Sequence, residues 1–569
     1  MFRLYHPHVI MAMMKELLEK EILPKVQKPA RYLGNEFNAL HKEWDNSFFK
    51  VALAYPDTYE IGMSNLGLQI LYHILNQQDK VLAERAFAPW PDLEQLLVVH
   101  KLPLFSLESQ HSLKEFDLIG FSLGHELTYS NLITILKLSG IPVWSQQRKE
   151  EDPLILGGGP CAFNPEPIAD FFDFFLIGEA EEAIIEIVKC LIDQKPKTRD
   201  QKLKKLAEIP GVYVPGISKK VTKRYVKDLN LSPYPTKPIV PFVEAIHDRA
   251  VLEIMRGCPW GCKFCQAGWT YRPLRERSLQ VLSELADELI RNTGYEELSL
   301  VSLSSSDYRK IEELAKLLAT KYEPQRINIS LPSMRTNTFS IKLAREISRV
   351  RSSSVTLAPE AGTQRLRDLI GKKMTEEHIL EGVKAAFSEG IEAVKLYFMI
   401  GLPTETEEDL LGICELAQKI YELGKNYTKR ARVTVNLATF IPKPHTPLQW
   451  ERQISIEETL QKQKFVKQNL KNRKIEVRWH QAEASFLEGV FSRGDRNLAK
   501  AIVTAWEKGA RFDAWSEHFK FEVWKEAFSQ CGIDPNYYLR KRGKDEALPW
   551  DFIDTGVPKS TLQKLSLEM

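Results

Sequence analysis

The central part of the chain alternates between short apolar runs and longer amphipathic stretches. Apolar runs of strand length lie at 250–255, 298–303, 327–331, 354–357, 393–400 and 433–440. Stretches with helical periodicity lie between them, at 279–291, 310–319, 375–389 and 407–424. Alternating strand and helix signals predict parallel strands joined by crossover helices. Six such units predict a partial (β/α)6 barrel over residues 246–450, with its active site at the carboxyl ends of the strands.

A similar pattern precedes the barrel. Strand-like runs lie at 49–54, 118–123, 154–156 and 174–177, and helical stretches end at residue 76 or cover 131–139 and 180–192. This order predicts an α/β unit over residues 46–195 with a doubly wound, flavodoxin-like sheet. Several of its loops contain glycine, which lets the backbone approach a ligand closely.

Three further segments surround these two units. Residues 1–45 predict a helical N-terminal extension, with later methionines as alternative starts. Residues 196–245 are rich in Lys and Pro, which is typical of a linker. Residues 451–569 contain a helical stretch at 460–470 and several Trp-rich segments. They predict a small, mainly helical cap that packs on the barrel.

The composition is typical of a chain with several globular domains. Of its 569 residues, 43% are hydrophobic, and 78 basic against 75 acidic residues give a net charge of +3. No run reaches 18 apolar residues, so no membrane-spanning helix is predicted. The apolar run at 9–14 is too short for a secretion signal. Seven cysteines without such a signal are typical of reduced thiols, and the sequence predicts a cytoplasmic protein.

Three of the seven cysteines lie within eight residues. Cys258, Cys262 and Cys265 have the spacing C-x3-C-x2-C, on a glycine-rich loop after the apolar run at 250–255. Three thiolates at this spacing can hold three irons of a [4Fe–4S] cluster and leave the fourth iron open to a substrate. The alternatives are a zinc site with a distant ligand such as His480, and chance clustering of structural cysteines. Zinc sites usually show paired ligands, so the cluster is favoured.

The motif, with the aromatic Phe264 before its last cysteine, resembles the signature of radical S-adenosylmethionine (SAM) enzymes. The resemblance implies that SAM chelates the open iron, and that one electron from the cluster cleaves SAM to methionine and a 5′-deoxyadenosyl radical. It also implies an external one-electron reductant of flavodoxin or ferredoxin type. The residues that match SAM-contacting positions are Phe264, Ser304, Ser305, Asp307, Ser333, Arg335, Glu360 and Gly401. At 304–307 the chain reads S-S-S-D where relatives have G-G-E.

The N-terminal unit resembles the cobalamin-binding domain that precedes many radical SAM domains. The matching positions are Asp57, Tyr59, Gly62, Ser122, Gly124, Gly157, Gly158 and Glu179. Tyr59 stands where the motif D-x-H-x-x-G has the histidine that ligates cobalt, and a phenol is a poor ligand. Either cobalamin binds without a side chain below the metal, or the domain has lost the cofactor. His125 is another candidate ligand, although a lone loop histidine is more often structural.

The stretches R-Y-L-G-N-E, Y-P-D-T-Y-E-I-G-M-S-N and F-I-P-K-P-H-T-P-L-Q-W, together with the cysteine motif, resemble an uncharacterised radical SAM family with a cobalamin-binding-like domain. Three hypotheses follow from the resemblance. The first is a radical SAM enzyme that uses cobalamin for methyl transfer. The second is a radical SAM enzyme without cobalamin, whose sheet domain is vestigial or binds substrate. The third is a non-enzymatic cobalamin or iron–sulfur sensor.

A basic segment follows the predicted barrel. Its cations are Lys462, Lys464, Lys467, Lys471, Arg473, Lys474 and Arg478, and Trp479 and His480 lie beside them. Basic residues interleaved with aromatic ones can bind RNA through phosphates and stacked bases. The alternative is a solvated helix face. Arg493, Asp495 and Arg496 are further polar residues that could reach the active site.

Overall fold

The computed structural model describes residues 15–193, 198–332 and 354–567, and its first unit is a six-stranded sheet. The strands are β1 (Phe49–Tyr55), β2 (Val81–Phe87), β3 (Leu118–Ser122), β4 (Leu154–Gly158), β5 (Phe174–Leu176) and β6 (Val212–Tyr213). Their order is β2-β1-β3-β4-β5-β6, and only β5 and β6 pair antiparallel. This is the strand order of a flavodoxin-like sheet, so the predicted fold is confirmed.

Helices cover both faces of this sheet. They are α1 (Tyr59–Met63), α2 (Leu66–Asn76), α3 (Pro91–His100), α4 (Tyr129–Leu138), α5 (Ala183–Asp193) and α6 (Arg199–Leu206). In β1, Val51 and Leu53 share a core with α2 and α5, whereas Ala52 and Ala54 share one with α3 and α4. Strands buried on both faces are continuously apolar, which made them recognisable in the sequence. The predicted linker is only partly a linker, because α6 and β6 complete this unit.

Strand β2 escaped prediction because its sequence, V-L-A-E-R-A-F, places two charged residues inside an apolar run. Both are buried. Arg85 forms ion pairs with Glu36 and Glu108, at 2.7 and 2.6 Å. Glu84 instead accepts hydrogen bonds from the hydroxyl and backbone N–H groups of Ser109. Burial and the nearby charge of Glu108 raise the pKa of Glu84 to about 7.

We expect Glu84→Gln to stabilise the protein above pH 7. The unfolded chain releases the Glu84 proton near its ordinary pKa of 4.5, and the folded chain releases it only near pH 7. The free energy of unfolding therefore falls as pH rises between these values. Glutamine removes this cost, so urea unfolding at pH 8 should show a gain of up to about 3 kcal/mol. The exposed control Glu43→Gln should change little, and an equal gain in both variants would contradict the assignment.

The strands of the rest of the chain form a partial barrel and two small ladders. They are β7 (Val221–Thr222), β8 (Ala250–Glu253), β9 (Met255–Arg256), β10 (Arg275–Glu276), β11 (Glu297–Val301), β12 (Asn328–Ser330), β13 (Ser354–Glu360), β14 (Ala393–Ile400), β15 (Arg432–Thr439), β16 (Ile475–Trp479) and β17 (Ile553–Asp554). Parallel ladders run in the orders β12-β11-β8 and β13-β14-β15-β16. The six predicted strands are confirmed, and β16 adds a seventh within the described residues. The small ladders are β9 with β10 and β7 with β17.

Helices pack on the outside of the barrel strands. The helices of this unit are α7 (Gln266–Thr270), α8 (Leu279–Thr293), α9 (Ile311–Tyr322), α10 (Gln364–Leu369), α11 (Glu376–Ser388), α12 (Glu407–Lys425) and α13 (Ile456–Asn469). The side chains of Leu396 and Val435 join the core beneath these helices. Lys395, Tyr397 and Asn436 alternate with them and therefore face the inside of the barrel.

The C-terminal helices are α14 (Ala482–Arg493), α15 (Leu498–Glu507), α16 (Phe521–Gln530), α17 (Asn536–Leu539) and α18 (Lys559–Leu565). The prediction that they cap the barrel is wrong for α15 and α16, whose apolar side chains join the core around α4 in the first unit. Helix α14 packs both against this core and against β15 and α13 of the barrel. Polar contacts support this packing: the Trp515 indole donates to Asp57, and Ser130 donates to Asp513. The outer side of α4 is apolar as well, so it needs a second layer of helices.

The N-terminal extension consists of short helical turns. A π-helical turn covers Leu18–Ile22, and 3-10 turns cover Leu23–Lys25 and Pro29–Tyr32. Leu18 and Ile22 are buried in the same core as α4. Among the described residues, no helix is long and apolar enough to cross a membrane.

Candidate functional site

The three cysteines of the motif lie on the loop between β9 and α7. Neighbouring elements hold its backbone. The Trp269 indole donates to the Cys262 carbonyl at 2.9 Å, and the Lys263 N–H donates to the Ile370 carbonyl at 2.8 Å. The Leu448 N–H donates to the Lys263 carbonyl at 3.2 Å. Because Ile370 follows β13 and Leu448 follows β15, the loop lies at the carboxyl ends of the barrel strands.

The three thiols of this loop are available to hold a metal cluster. All three cysteines are free of disulfides, and burial raises the pKa of the Cys265 thiol to about 11. A bound metal would be needed to keep such a thiol ionised.

Glycine is required at the start of the cysteine loop. Gly257 has φ +90°, and a Cβ there would lie 2.8 Å from the Tyr271 carbonyl oxygen and 2.9 Å from that of Pro273. We expect Gly257→Ala to displace the loop and reduce iron binding after anaerobic reconstitution. Metal analysis and thermal unfolding measure the two effects. Gly294→Ala is the control, since Gly294 has φ +69° with open space around it. Equal iron content in both variants would contradict the argument.

The residues predicted to contact SAM meet the cysteine loop at the barrel mouth. Phe264 packs against the apolar cluster that includes Ala361 and Leu402, from the loops after β13 and β14. Asp307 accepts a hydrogen bond from the Trp260 indole at 2.6 Å and another from the Ser304 hydroxyl. The structure therefore brings these strand ends together around the loop.

The other predicted SAM contacts are less uniform. The Ser305 hydroxyl donates to the Leu300 carbonyl at 2.8 Å and is buried. Glu360 has φ +69° and lies 3.3 Å from the Lys372 ammonium. Gly401 has φ +80°, and its N–H donates to the Glu405 carboxylate at 2.9 Å. Ser333 and Arg335 lie outside the described residues. The roles of all these residues stay predictions.

A cavity of about 450 Å³ lies between the first unit and the barrel. It follows β1 and β3 and reaches their carboxyl ends, which is the switch point where flavodoxin-like sheets bind ligands. Most of its wall is apolar or glycine, including Leu53, Leu118 and Gly120. Arg256 and Tyr271, which flank the cysteine loop, form its far wall. The cavity and the cysteine loop therefore share a boundary.

The structure divides the residues predicted to contact cobalamin into two groups. Ser122, Gly124, Gly158 and Glu179 line the cavity. Asp57, Tyr59, Gly62 and Gly157 do not. Side chains of neighbouring residues occupy the space beside Gly62 and Gly157.

Tyr59 faces the protein core instead of the cavity. It is buried, and its hydroxyl donates to the Glu36 carboxylate at 2.7 Å. Asp57 is held by the Trp515 indole. Among the described residues, no histidine lines the cavity, and His125 lies outside it. A cofactor held here would have no protein imidazole below its metal, as the tyrosine in the motif suggested.

An ion-pair network connects the two units beside the cavity. Arg256 lies 3.1 Å from Glu179, 2.8 Å from Glu181 and 2.9 Å from Glu253. Arg275 pairs with Glu179 at 2.7 Å. The charges of Arg256 and Arg275 outweigh burial and lower the pKa of Glu179. Of these residues the sequence indicated only Glu179; Arg256 could have been suspected because it lies two positions before Cys258.

A second charged group connects three parts of the chain. Lys443, after β15, lies 2.7 Å from Glu126, after β3, and 2.8 Å from Glu488, on α14. His125 lies 3.4 Å from Glu488. Burial lowers the pKa of His125, but its interactions with Glu488 raise it overall. The Lys443 ammonium lies between the two carboxylates, and the His125 imidazole lies beside Glu488, so the group connects the ends of β3 and β15 with α14.

The predicted polar trio after α14 is structural. Arg493 is fully buried and donates to the backbone carbonyls of Pro442 and Gln449. Asp495 accepts from the Tyr538 hydroxyl, and Arg496 pairs with Glu166. Arg493 therefore holds the segment after β15 that also contacts the cysteine loop, whereas Asp495 and Arg496 have partners on other elements.

Comparison with known proteins identifies the family. Residues 252–417 match the model of the radical SAM superfamily, and residues 67–215 match the model of radical SAM proteins, N-terminal. An uncharacterised protein of Methanocaldococcus jannaschii is 31% identical over 455 residues, which cover 79% of this chain and 90% of the relative. The chain belongs to the radical SAM superfamily. It is therefore an enzyme of the class whose members hold a [4Fe–4S] cluster and SAM.

More distant similarities extend this result. An uncharacterised methyltransferase of Pyrococcus horikoshii is 22% identical over 342 residues, 55% of this chain and 71% of the relative. A tRNA-2-methylthio-N(6)-dimethylallyladenosine synthase of Thermotoga petrophila is 27% identical over 257 residues, 42% and 54% respectively. The solved structure of the cobalamin-dependent SAM radical enzyme OxsB has a TM-score of 0.51 and 13% identity, over 86% of this chain and 72% of that one. This last likeness supports the fold.

Proposed function

We propose that this radical SAM enzyme is a cobalamin-dependent methyltransferase. The observation that supports the proposal is the cavity at the switch point of the N-terminal sheet, whose far wall is formed by residues flanking the cysteine loop. In this arrangement the two cofactors would lie on either side of the residues around Arg256. When bound, the cluster supplies the electron that cleaves SAM, and cobalamin supplies the methyl group.

The residues of the chain would hold the two cofactors in distinct ways. Glycines at 120, 124 and 158 let the β3 and β4 backbones approach a planar ring, and the apolar wall excludes water. Cys258, Cys262 and Cys265 would hold three irons. Arg256 would keep the wall between the sites in place, since three carboxylates surround its guanidinium.

The names of two relatives agree with this proposal. One is a methyltransferase by name, and OxsB is described as cobalamin-dependent. We further propose an external one-electron reductant of flavodoxin or ferredoxin type, because the described chain offers one cysteine cluster motif. RNA is the proposed substrate class, on the basic segment at 462–478 and the tRNA-modifying relative.

A cobalamin-independent radical SAM enzyme is the second candidate. The described lining of the cavity favours it, because none of those residues offers an imidazole to cobalt. In that case the cavity would bind substrate.

Anaerobic reconstitution with iron, sulfide and hydroxocobalamin separates the two candidates. After desalting, about four irons and one cobalt per chain are expected, with methyl transfer from labelled SAM to follow. Four irons without cobalt would reject the cobalamin proposal and retain the radical SAM class. In that outcome the product to measure is 5′-deoxyadenosine.

A cavity-filling variant tests the place of cobalamin. A Cβ on Gly158 would meet only the Leu176 carbonyl oxygen, at 3.9 Å, so a larger side chain can extend into the cavity. We expect Gly158→Leu to lose cobalt and keep its irons. Gly543→Leu, on an exposed loop with similar free space, is the matched control. Full cobalt in Gly158→Leu would place cobalamin elsewhere.

A further inference from the structure

A strongly basic surface lies along the last described strand of the barrel. We call it the basic edge. It consists of the exposed side chains of Lys429, Arg432, Lys464, Lys471, Arg473 and Lys474. Strand β16 is the outermost strand of its ladder, and among the described residues its outer edge has no strand partner. The sequence allowed two interpretations of this segment, an RNA site or a solvated helix face. In the structure, the segment forms part of the barrel itself.

The cations of the basic edge lack acidic partners. Within the described chain, none of the six forms an ion pair. By contrast, Arg478 pairs with Glu476 at 2.9 Å, and Lys462 pairs with Glu405 at 2.8 Å. The pairing of Val433 with Ile475 also places Arg432 beside Lys474. Like charges on neighbouring strands destabilise a sheet, and a bound anion would relieve this repulsion.

Exposed aromatic side chains lie at both ends of the basic edge. Tyr427 is 42% exposed before β15, and Trp479 is 39% exposed at the end of β16. The Lys467 ammonium lies 5.2 Å from the centre of the Trp479 ring. Exposed His480 follows at the carboxyl end of the strand, on the side of the barrel mouth. Five strand residues separate the two ends by about 16 Å.

We propose that the basic edge binds a single-stranded nucleic acid and leads it to the barrel mouth. The unpaired cations would contact phosphates, and Trp479 would stack on a base near the mouth. An acidic protein would need only the positive charges of this surface. The exposed Trp479 ring can in addition stack on a base, which favours a nucleic acid as the ligand. This inference names the substrate class of the proposed methyl transfer and rests on that function, although the binding itself requires neither cofactor.

Fluorescence anisotropy with a labelled RNA 15-mer of mixed sequence tests the surface in the full-length protein. The triple variant Lys471→Gln/Arg473→Gln/Lys474→Gln should bind more weakly at 50 mM salt. Raising the salt from 50 to 200 mM weakens binding by an amount that grows with the number of phosphate contacts. With three fewer contacts, the fold-loss of affinity over this range should be roughly twentyfold smaller than in the wild type. The control Lys189→Gln/Lys204→Gln/Lys205→Gln removes the same charge on α5 and α6 and should bind like the wild type.

Substitution of Trp479 tests the stacking contact. Trp479→Ala should weaken RNA binding about 5- to 100-fold, and Trp479→Phe should restore most of it. Thermal unfolding confirms that each variant is folded. DNA of the same sequence is the second probe: equal binding supports recognition through phosphates and bases, and stronger RNA binding adds a ribose contact.

Two results would overturn the proposal. One is wild-type affinity in the triple variant. The other is competition by polyglutamate as effective as competition by RNA, which would make the surface a docking site for an acidic protein. The experiments distinguish a failure of this proposal from a failure of the proposed function. Weak RNA binding in a protein that retains iron and cobalt rejects the surface alone, and RNA binding without cobalt rejects cobalamin alone.

Discussion

Cys262→Ala should remove the iron–sulfur cluster and all cleavage of SAM. Cys262 is buried, and the Trp269 indole holds its carbonyl, so the loop backbone should keep its place when the thiolate is removed. With two remaining ligands the cluster should not survive desalting. After anaerobic reconstitution, iron should fall from about four per chain to background. 5′-Deoxyadenosine should be undetectable under dithionite. Cys258→Ala and Cys265→Ala should behave in the same way.

Cys414→Ala is the matched control for this experiment. Cys414 is also buried, but its thiol lies on α12 near the carbonyls of Leu410 and Val466. Its replacement should cost some stability and leave iron content and SAM cleavage intact. Full activity in any one of the three motif variants would contradict the assignment of the cluster. Zinc instead of iron in the wild-type protein would do so as well.

Arg256→Met should destabilise the joint between the two units. The variant leaves Glu179, Glu181 and Glu253 close together, with Arg275 beside Glu179 and Arg277 beside Glu253 as neighbouring cations. Removing one partner from a buried ion pair costs about 3–5 kcal/mol, because the charge left behind has lost its compensation. Urea unfolding of the cofactor-free protein at pH 7.5 measures this loss. Cobalt retained after reconstitution should fall too, because Arg256 forms part of the cavity wall.

The pH dependence of the Arg256→Met variant identifies the cause. Arg256 helps to lower the pKa of Glu179, so without Arg256 this pKa should rise, and acidification lets Glu179 take up a proton in the folded state. The difference from the wild type should therefore be largest near neutral pH and shrink as pH falls toward 5. Arg291→Met is the control, because its ion pair with Glu288 is exposed and worth about 1 kcal/mol or less. A loss below 1 kcal/mol for Arg256→Met would contradict the prediction.

Local patterns in the sequence predicted the strands whose apolar residues are continuous or regularly alternating. β1, β3, β14 and β15 are continuous or alternating apolar runs, and each was recognised. β2 was missed because Glu84 and Arg85 interrupt its pattern, and β16 was missed because its edge position leaves Glu476 and Arg478 in solvent. Such strands are defined by their neighbours, so a single stretch of sequence carries little signal for them.

Side-chain direction could not be predicted from motif spacing. Tyr59 falls on the spacing of a cobalt ligand, yet its hydroxyl binds Glu36, which lies 23 positions earlier in the chain. The C-terminal helices were assigned to the barrel, but α15 and α16 instead cover the first unit, and nearby contacts such as Trp515 with Asp57 support this packing. Both outcomes depend on residues that are distant in sequence.

The sequence by itself determined the chemistry of the cysteine loop and the two α/β units, because ligand spacing and hydrophobic periodicity are local properties. Only the tertiary structure decided that Arg256 and Tyr271 close the cavity of the other unit, and that Lys443 connects Glu126 with Glu488. It also decided that the basic segment forms the edge of the barrel. These features arise from the packing of one unit against another, which depends on surfaces assembled from many distant residues.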